Sequence, residues 1–329
     1  MNAQLLPPTF ADIERAAECL AGVAHRTPVI RSDALDERTG GRILLKAENL
    51  QRTGSFKIRG AYKRLSELKD AGRTHVVAFS SGNHAQGVAL AARLLGMRAV
   101  IVMPSDAPRL KIDNTRSLGA EIVLYDRRTE SREAIAARIA AEQQAVVVPS
   151  FDDPGIIAGQ GTVGLELADQ SRAIGADLDA VIVPTSGGGL AAGIALALET
   201  TSPRTKVHTA EPAGFDDHAR SLAAGEILSN ASGSESICDA LLAPSPGRIT
   251  FAINRRLLGE GLVAGDDEVR TAMAFAFREL KLVVEPGGAV ALAALLGGRM
   301  DAKGRTIAVV LSGGNVDREA FADCLSRVS

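Results

Sequence analysis

From His75 to Val148 the chain alternates short apolar runs with longer segments of helical character. His75–Phe79, Arg98–Met103, Glu121–Tyr125 and Ala145–Val148 read as strands, and His84–Leu95, Arg109–Leu118 and Ser131–Gln144 as helices. Each helix carries the chain back to the same end of the sheet, so strands spaced this way pair in parallel. The rhythm resumes after Pro149, with strands at Asp179–Pro184, Lys206–Glu211 and Arg305–Leu311. Helices are expected at Ile157–Gln170, Gly188–Thr200, Glu268–Leu280, Gly288–Gly297 and Arg318–Val328. Ahead of the first block, helices Ala11–Ala24 and Ile58–Lys69 flank a strand at Ile43–Glu48. The stretch Gly214–Ser245 is polar and rich in Gly, Ser and Asp, which predicts loops. The expectation is an α/β protein of two domains: residues 75–148 form a small mobile one, and 1–74 with 149–329 a large one. Ligands of such sheets bind at the carboxyl ends of the strands, here in the cleft between the domains.

At 329 residues, 46% hydrophobic and 23% charged, the chain can bury cores of this size. A formal charge of −2 with no long block of either sign argues against a nucleic-acid partner. No apolar run approaches membrane-spanning length, and Met1–Phe10 lacks the basic start and apolar core of a secretory signal. Cys19, Cys238 and Cys324 are far apart with no CxxC spacing, which suits a reduced cytoplasm better than a disulfide framework or a zinc site.

Four turns follow strands and so face one side of the fold: Ser80-Ser81-Gly82-Asn83-His84, Thr185-Ser186-Gly187-Gly188-Gly189-Leu190, Pro212 to Asp217, and Ser312-Gly313-Gly314-Asn315. The triple glycine opens a helix. Its backbone can approach a ligand closely, and the free N–H groups of a helix start bind an anion, which reads as a phosphate cradle. The Ser80–His84 turn is a second such start, suited to a carboxylate, although Ser and Asn are also ordinary N-caps. A fifth turn, Gln51-Arg52-Thr53-Gly54, leads into Ser55-Phe56-Lys57-Ile58-Arg59-Gly60-Ala61. A lysine at a helix start meets the positive end of the helix dipole, and burial also disfavours its charge. Both push it toward the neutral amine that a Schiff-base lysine must be. A surface lysine with its stem along Phe56 is the plain alternative. A competing class is an NAD-dependent oxidoreductase. Gly159-Gln160-Gly161-Thr162-Val163-Gly164 matches G-x-G-x-x-G but does not directly follow a strand, whereas the 187–189 turn does, and Glu211 ends the next strand. That reading leaves Lys57 and the Ser312 turn without a role.

These stretches together resemble the fold type II pyridoxal-phosphate enzymes of the tryptophan synthase β-like kind, and within them the serine/threonine dehydratase and serine racemase family. The motifs are Gly54–Ala61, Ser80–Gly87, Ala158-Gly-Gln-Gly-Thr162, the 186–189 turn, Val284-Glu285-Pro286 and Leu311–Asn315, spread over nearly the whole chain. The resemblance implies that Lys57 holds pyridoxal phosphate and removes the Cα proton, with Phe56 against the ring. Asn83 would meet the ring hydroxyl, and Ser186, Gly187, Gly188, Gly189 and Leu190 the phosphate. Glu285 would lie near the ring, and Ser312 would face the pyridine nitrogen. A hydroxyl there cannot keep that nitrogen protonated, which fits elimination better than transamination. Ser80, Ser81, Asn83 and His84 would bind the substrate α-carboxylate.

The implied reaction is β-elimination from a β-hydroxy amino acid such as L-threonine or L-serine, giving a 2-oxo acid and ammonia. Ser81 keeps racemase chemistry open. Arg132 could meet a second carboxylate, as in 3-hydroxyaspartate. Ile237-Cys238-Asp239-Ala240 has Ala240 where the family usually has glycine, which puts simple threonine specificity in question. A dehydratase linked to ectoine breakdown is a further alternative. The resemblance also implies a Mg²⁺ or Ca²⁺ site at Glu211, the Phe215 carbonyl and Asp217, and a homodimer. A regulatory domain like that of the biosynthetic threonine dehydratases is not expected.

Overall fold

A computed structural model describes residues 6–80, 82–107 and 109–327. The first part contains α1 (Phe10–Leu20), β1 (Val29–Ile30), α2 (Asp33–Thr39), β2 (Arg42–Ala47) and α3 (Lys57–Asp70). The alternating block follows as β3 (His75–Phe79), α4 (Asn83–Leu95), β4 (Arg98–Pro104), α5 (Arg109–Ser117), β5 (Glu121–Tyr125), α6 (Arg132–Gln143) and β6 (Val146–Val147). Then come α7 (Pro154–Ala173), β7 (Ala180–Pro184), α8 (Gly189–Thr201), β8 (Lys206–Pro212), α9 (Asp217–Ala224) and α10 (Arg248–Leu257). The chain continues through β9 (Leu262–Ala264), α11 (Asp266–Arg278), α12 (Pro286–Leu296), β10 (Thr306–Leu311) and α13 (Arg318–Ser326).

The strands form two sheets. One has the order β1-β2-β10-β7-β8-β9, and the other β5-β4-β3-β6. Every pairing is parallel except that of β1 with β2. Adjacent residues of the long strands enter different cores. Leu45, Ile182 and Val309 pack with α11 and α12, whereas Leu44, Val181 and Val310 pack with α7 and α8. The four-stranded sheet divides likewise, with Val76 and Ala78 on the α4 side and Val77 and Val102 on the α6 side. A strand buried on both faces needs apolar residues at every position, and this is why these runs are legible in sequence. Helix α3 joins the two halves, because Ile58, Ala61 and Leu65 share a core with α4 and with Ile156 of α7.

Some elements differ from the sequence reading. Within Gly214–Ser245, expected as loops, α9 forms, together with a short 3-10 turn at Asp239–Leu241. Helices α2 and α10 and strands β1 and β9 were not anticipated. The three cysteines are unpaired. Among the described residues no helix is long and apolar enough to cross a membrane.

Candidate active site

Beyond β2 the chain turns through Thr53 and Gly54, both left-handed at φ 61° and 70°. A Cβ on Gly54 would stand 2.5 Å from Asn315 Oδ1, so this position requires glycine. The next residues zip onto the turn that follows β10. Ser55 pairs with Gly313, the Phe56 N–H donates to Ser312 O at 3.2 Å, and the Gly314 N–H donates to Gly54 O at 2.9 Å. Lys57 is thereby the first residue of α3, beside Ser312. Its amine donates to Ser150 O at 2.8 Å and lies 5.1 Å from the Phe56 ring centre. Part of the side chain stays accessible, but burial of the amine end lowers its pKa to about 8, with Glu285 opposing the shift.

The glycine turn lies between β7 and α8. Gly188 is the N-cap in the left-handed region, φ 92°. Thr250 Oγ1 donates to Gly187 O at 2.6 Å, and the Gly247 N–H to the same oxygen at 3.1 Å. Among the described residues the N–H groups of Gly187 and Gly188 have no protein acceptor, and those of Gly189 and Leu190 open the helix. Ser186 Oγ accepts from the Ala243 N–H at 3.0 Å. An added Cβ on Gly187 would stand 2.4 Å from the Phe151 ring, and one on Gly189 would meet Gln160 Oε1 at 2.8 Å and the Phe151 main-chain oxygen at 3.0 Å.

Helix α4 brings Asn83 and His84 to the same cleft. Asn83 Nδ2 donates to Glu285 Oε1 at 2.5 Å, and Asn83 Oδ1 accepts from Asn315 Nδ2 at 2.8 Å. Glu285 is buried at the N-cap of α12, and among the described residues its Oε2 has no protein partner. Burial raises its pKa to about 7, against the pull of Lys111. The ring of His84 is buried, with Nε2 3.1 Å from Val148 O. Burial, then the neighbouring Lys57, lower its pKa to about 3, so the ring is neutral. Nε2–H therefore donates to Val148 O and Nδ1 is left as an acceptor. The His84 ring therefore has no N–H left to offer an anion at this turn, whereas a helix start offers main-chain N–H groups. Ser80, whose N–H donates to Val102 O at 3.1 Å, sits at the entrance to the turn. Ser81 lies outside the described residues.

Lys111 of α5 was not singled out in sequence. It is buried, beside Gly82, and donates to the Asp239 carboxylate across the cleft. Burial opposes its charge, but Asp239 and then Glu285 outweigh it and hold its pKa up. Nothing in the spacing distinguishes this lysine from a surface one. Asn315, Ser150, Phe151 and Thr250 gained roles only from the structure. Arg132 remains at the surface, bonded to Glu133, with its guanidinium 5.3 Å over the Phe79 ring at the end of β3.

Beyond the cradle, Glu211, Asp217 and His218 place potential metal-ligating atoms within 4.8 Å of one another. Both Glu211 oxygens accept backbone N–H groups at the start of α9, from His218 at 2.9 Å and Ala219 at 2.7 Å. Asp217 Oδ1 accepts from Asn230 at 2.6 Å, while its Oδ2 is buried without a partner. Burial and then Asp217 raise the Glu211 pKa well above the usual range, and burial raises that of Asp217 to about 6. Phe215 is buried in the connecting turn.

Two parallel sheets thus bring together a lysine of lowered pKa, a glycine turn with free main-chain N–H groups and a helix start, the arrangement of an α/β enzyme. The family model described as "Pyridoxal-phosphate dependent enzyme" matches residues 20–313. A Pseudomonas L-threo-3-hydroxyaspartate ammonia-lyase is 44% identical over 318 residues, covering 96% of this chain and 98% of the relative. A Thermotoga maritima L-threonine ammonia-lyase is 41% identical over 310 residues, 94% of this chain and 76% of the relative. The solved structure of maize serine racemase superposes with a TM-score of 0.90 at 38% identity, covering 97% of each chain. The chain belongs to the pyridoxal-phosphate dependent enzyme family. Its residues fit that cofactor: among the described residues the Gly187 and Gly188 N–H groups have no protein acceptor, the buried Glu285 Oε2 has no partner, and the Lys57 amine has a lowered pKa.

Proposed function

We propose that this enzyme is an ammonia-lyase that converts a β-hydroxy amino acid such as L-threonine or L-serine to a 2-oxo acid and ammonia. The observation that carries the reading is Lys57, whose amine has a pKa lowered to about 8 beside an uncharged Ser312 and in the same cleft as the glycine turn. Pyridoxal phosphate, when bound, supplies the electron sink that acidifies Cα. Lys57 would hold it, and the Lys57 Nζ would take the Cα proton, a transfer favoured by a pKa near neutrality. Gly187, Gly188, Gly189 and Leu190 would hold the phosphate through main-chain N–H groups, with Ser186 at the edge of the turn. Phe56 would pack on the cofactor's ring, and Asn83 and Glu285 would hold its polar groups. Ser80, Ser81, Asn83 and His84 take the α-carboxylate at the start of α4, where the helix dipole favours an anion. Loss of the β-hydroxyl releases water, and hydrolysis of the released enamine consumes water and frees ammonia.

A second reading, 3-hydroxyaspartate, is favoured by the position of Arg132 over Phe79, because a rotation of that side chain would aim a guanidinium at a second carboxylate. Glu211, the Phe215 carbonyl and Asp217 would hold Mg²⁺ or Ca²⁺, an oxygen set that suits a hard cation and would relieve the repulsion between the two acids. Residues 75–148 act as the mobile domain, and the enzyme works as a cytoplasmic homodimer.

The test is a 2-oxo-acid assay with added Mg²⁺ on L-serine, L-threonine, D-serine and the 3-hydroxyaspartate isomers, with Lys57→Ala as control. Pyruvate or 2-oxobutyrate, lost in the control, supports the general dehydratase. Oxaloacetate from hydroxyaspartate alone moves the assignment to the second reading. No product from any substrate, with no cofactor absorbance lost in the control, overturns both.

A further inference from the structure

The carbonyls of Ser186, Gly187 and Gly188 are all engaged by protein groups. Gly187 O is held by Thr250 and Gly247, as described above. Ser186 O lies 3.2 Å from His218 Nδ1, and Gly188 O lies 3.2 Å from Asn254 Nδ2. Asn254 Nδ2 is also 2.8 Å from His218 Nε2. One proton arrangement satisfies all three contacts. Gly187 O and Gly188 O also accept main-chain N–H groups, from Gly247 and Ala192, but among the described residues Ser186 O has His218 alone, so His218 carries its proton on Nδ1 and its Nε2 accepts from the Asn254 amide.

The consequence follows from peptide geometry. In a planar trans peptide the C=O of one residue points opposite to the N–H of the next. Fixing Ser186 O therefore aims the Gly187 N–H, fixing Gly187 O aims the Gly188 N–H, and fixing Gly188 O aims the Gly189 N–H. His218 thus sets the direction of the Gly187 amide, Thr250 with the Gly247 N–H that of Gly188, and Asn254 together with the helical Ala192 N–H that of Gly189. The fit is tight, because a Cβ on Gly188 would stand 2.4 Å from His218 Cε1. His218 is itself anchored, since its main-chain N–H donates to Glu211 Oε1 at the start of α9.

We propose that His218 and Asn254 are positioning residues for the phosphate cradle, preorganising the Gly187 and Gly189 amides for the anion before it arrives. The proposal rests on reading the 186–190 turn as the phosphate site, and it deepens that reading. Preorganised donors bind more tightly because no reorientation is needed on binding. Loss of one such buried hydrogen bond, leaving a carbonyl free to rotate, corresponds to about a tenfold loss of affinity.

The test is the affinity of the cofactor-stripped protein for pyridoxal phosphate and for inorganic phosphate, with the ³¹P resonance of the bound cofactor. His218→Leu should weaken both affinities about tenfold and shift and broaden the ³¹P line. His218→Asn, whose amide restores a donor to Ser186 O, should stay within about threefold of wild type. A leucine variant that binds within about twofold with an unchanged ³¹P line overturns the proposal. Should His218→Leu not fold, wild type labelled with ¹⁵N-histidine decides. The His218 Nδ1–H resonance, assigned with His218→Asn, must shift when either phosphate ligand saturates the turn, and an unmoved resonance overturns the proposal. Wild type that binds neither ligand would remove the cradle reading itself, an outcome distinct from a variant that binds normally.

Discussion

Arg59→Met is expected to destabilise the protein by about 3–5 kcal/mol, the usual cost of stripping one partner from a buried ion pair. Arg59 is 1% exposed and Glu48 is fully buried. The guanidinium grips Glu48 with two bonds, Nε to Oε2 at 2.8 Å and Nη2 to Oε1 at 2.9 Å. It also donates to Glu166 at 2.6 and 2.9 Å. Methionine fills much of the volume but leaves the Glu48 carboxylate with only Thr27 and the nearby Lys46 to offset its charge. Glu166 is less affected, because it reaches the surface and keeps Lys46 at 2.6 Å. Adding Glu48→Gln to the variant should therefore recover part of the loss by removing the buried charge. With no Trp and two Tyr, urea unfolding is best followed by far-UV circular dichroism.

The pH dependence has a definite sign. Burial opposes the charge of Glu48, but Arg59 outweighs it and holds the folded-state pKa below the ordinary 4.5. The stabilisation is thus present above that value and is lost as pH falls through the depressed folded pKa. The gap between wild type and Arg59→Met should be full at neutral pH and narrow on acidification below about 4.5. A variant within about 1 kcal/mol of wild type, or a gap unchanged on acidification, would refute the reasoning.

Other outcomes follow from the site. Lys57→Ala should abolish turnover and the cofactor's absorbance band while leaving the circular dichroism spectrum intact. Gly188→Ala meets both a φ of 92° and a contact of 2.4 Å with His218, so its affinity for pyridoxal phosphate should fall by at least about tenfold in equilibrium dialysis. Glu285 holds its proton more tightly folded, at about 7, than unfolded, at 4.5. The cofactor-free protein should lose stability as pH rises through that window, by on the order of a few kcal/mol, and melting curves of Glu285→Gln should lack this slope. Asp239→Asn should lower the melting temperature more than Lys111→Met, because it leaves an ammonium buried, whereas the Asp239 side chain is 44% exposed and can be hydrated.

Much of the site was legible because its chemistry sits in local motifs. Lys57 at a helix start, the glycines opening α8 and the Ser80 turn each make sense within a few residues of chain. The strands were legible for a related reason: Val181 and Ile182 serve opposite faces, so both must be apolar. Where the pattern is weak, the reading failed. Helix α9 lies in a polar stretch and forms where the Glu211 carboxylate accepts its first N–H groups, a partner that arrives from the end of β8. Lys111 looked like any surface lysine, because its burial depends on Asp239, which is 128 residues away.

The α/β class, the parallel pairing and, through the motifs, the family could all be read along the chain, as could the turns of the candidate site. This is because periodicity, glycine conformation and helix capping act over a few residues. Only the tertiary structure placed β10 between β2 and β7 and so laid the Ser312 turn beside Lys57. Only there do Arg59 and Glu166, Asn83 and Glu285, and His218 and the glycine turn meet. Burial, shifted pKa values and aimed amides arise from such contacts between distant segments, and these exist only once the chain has closed on itself.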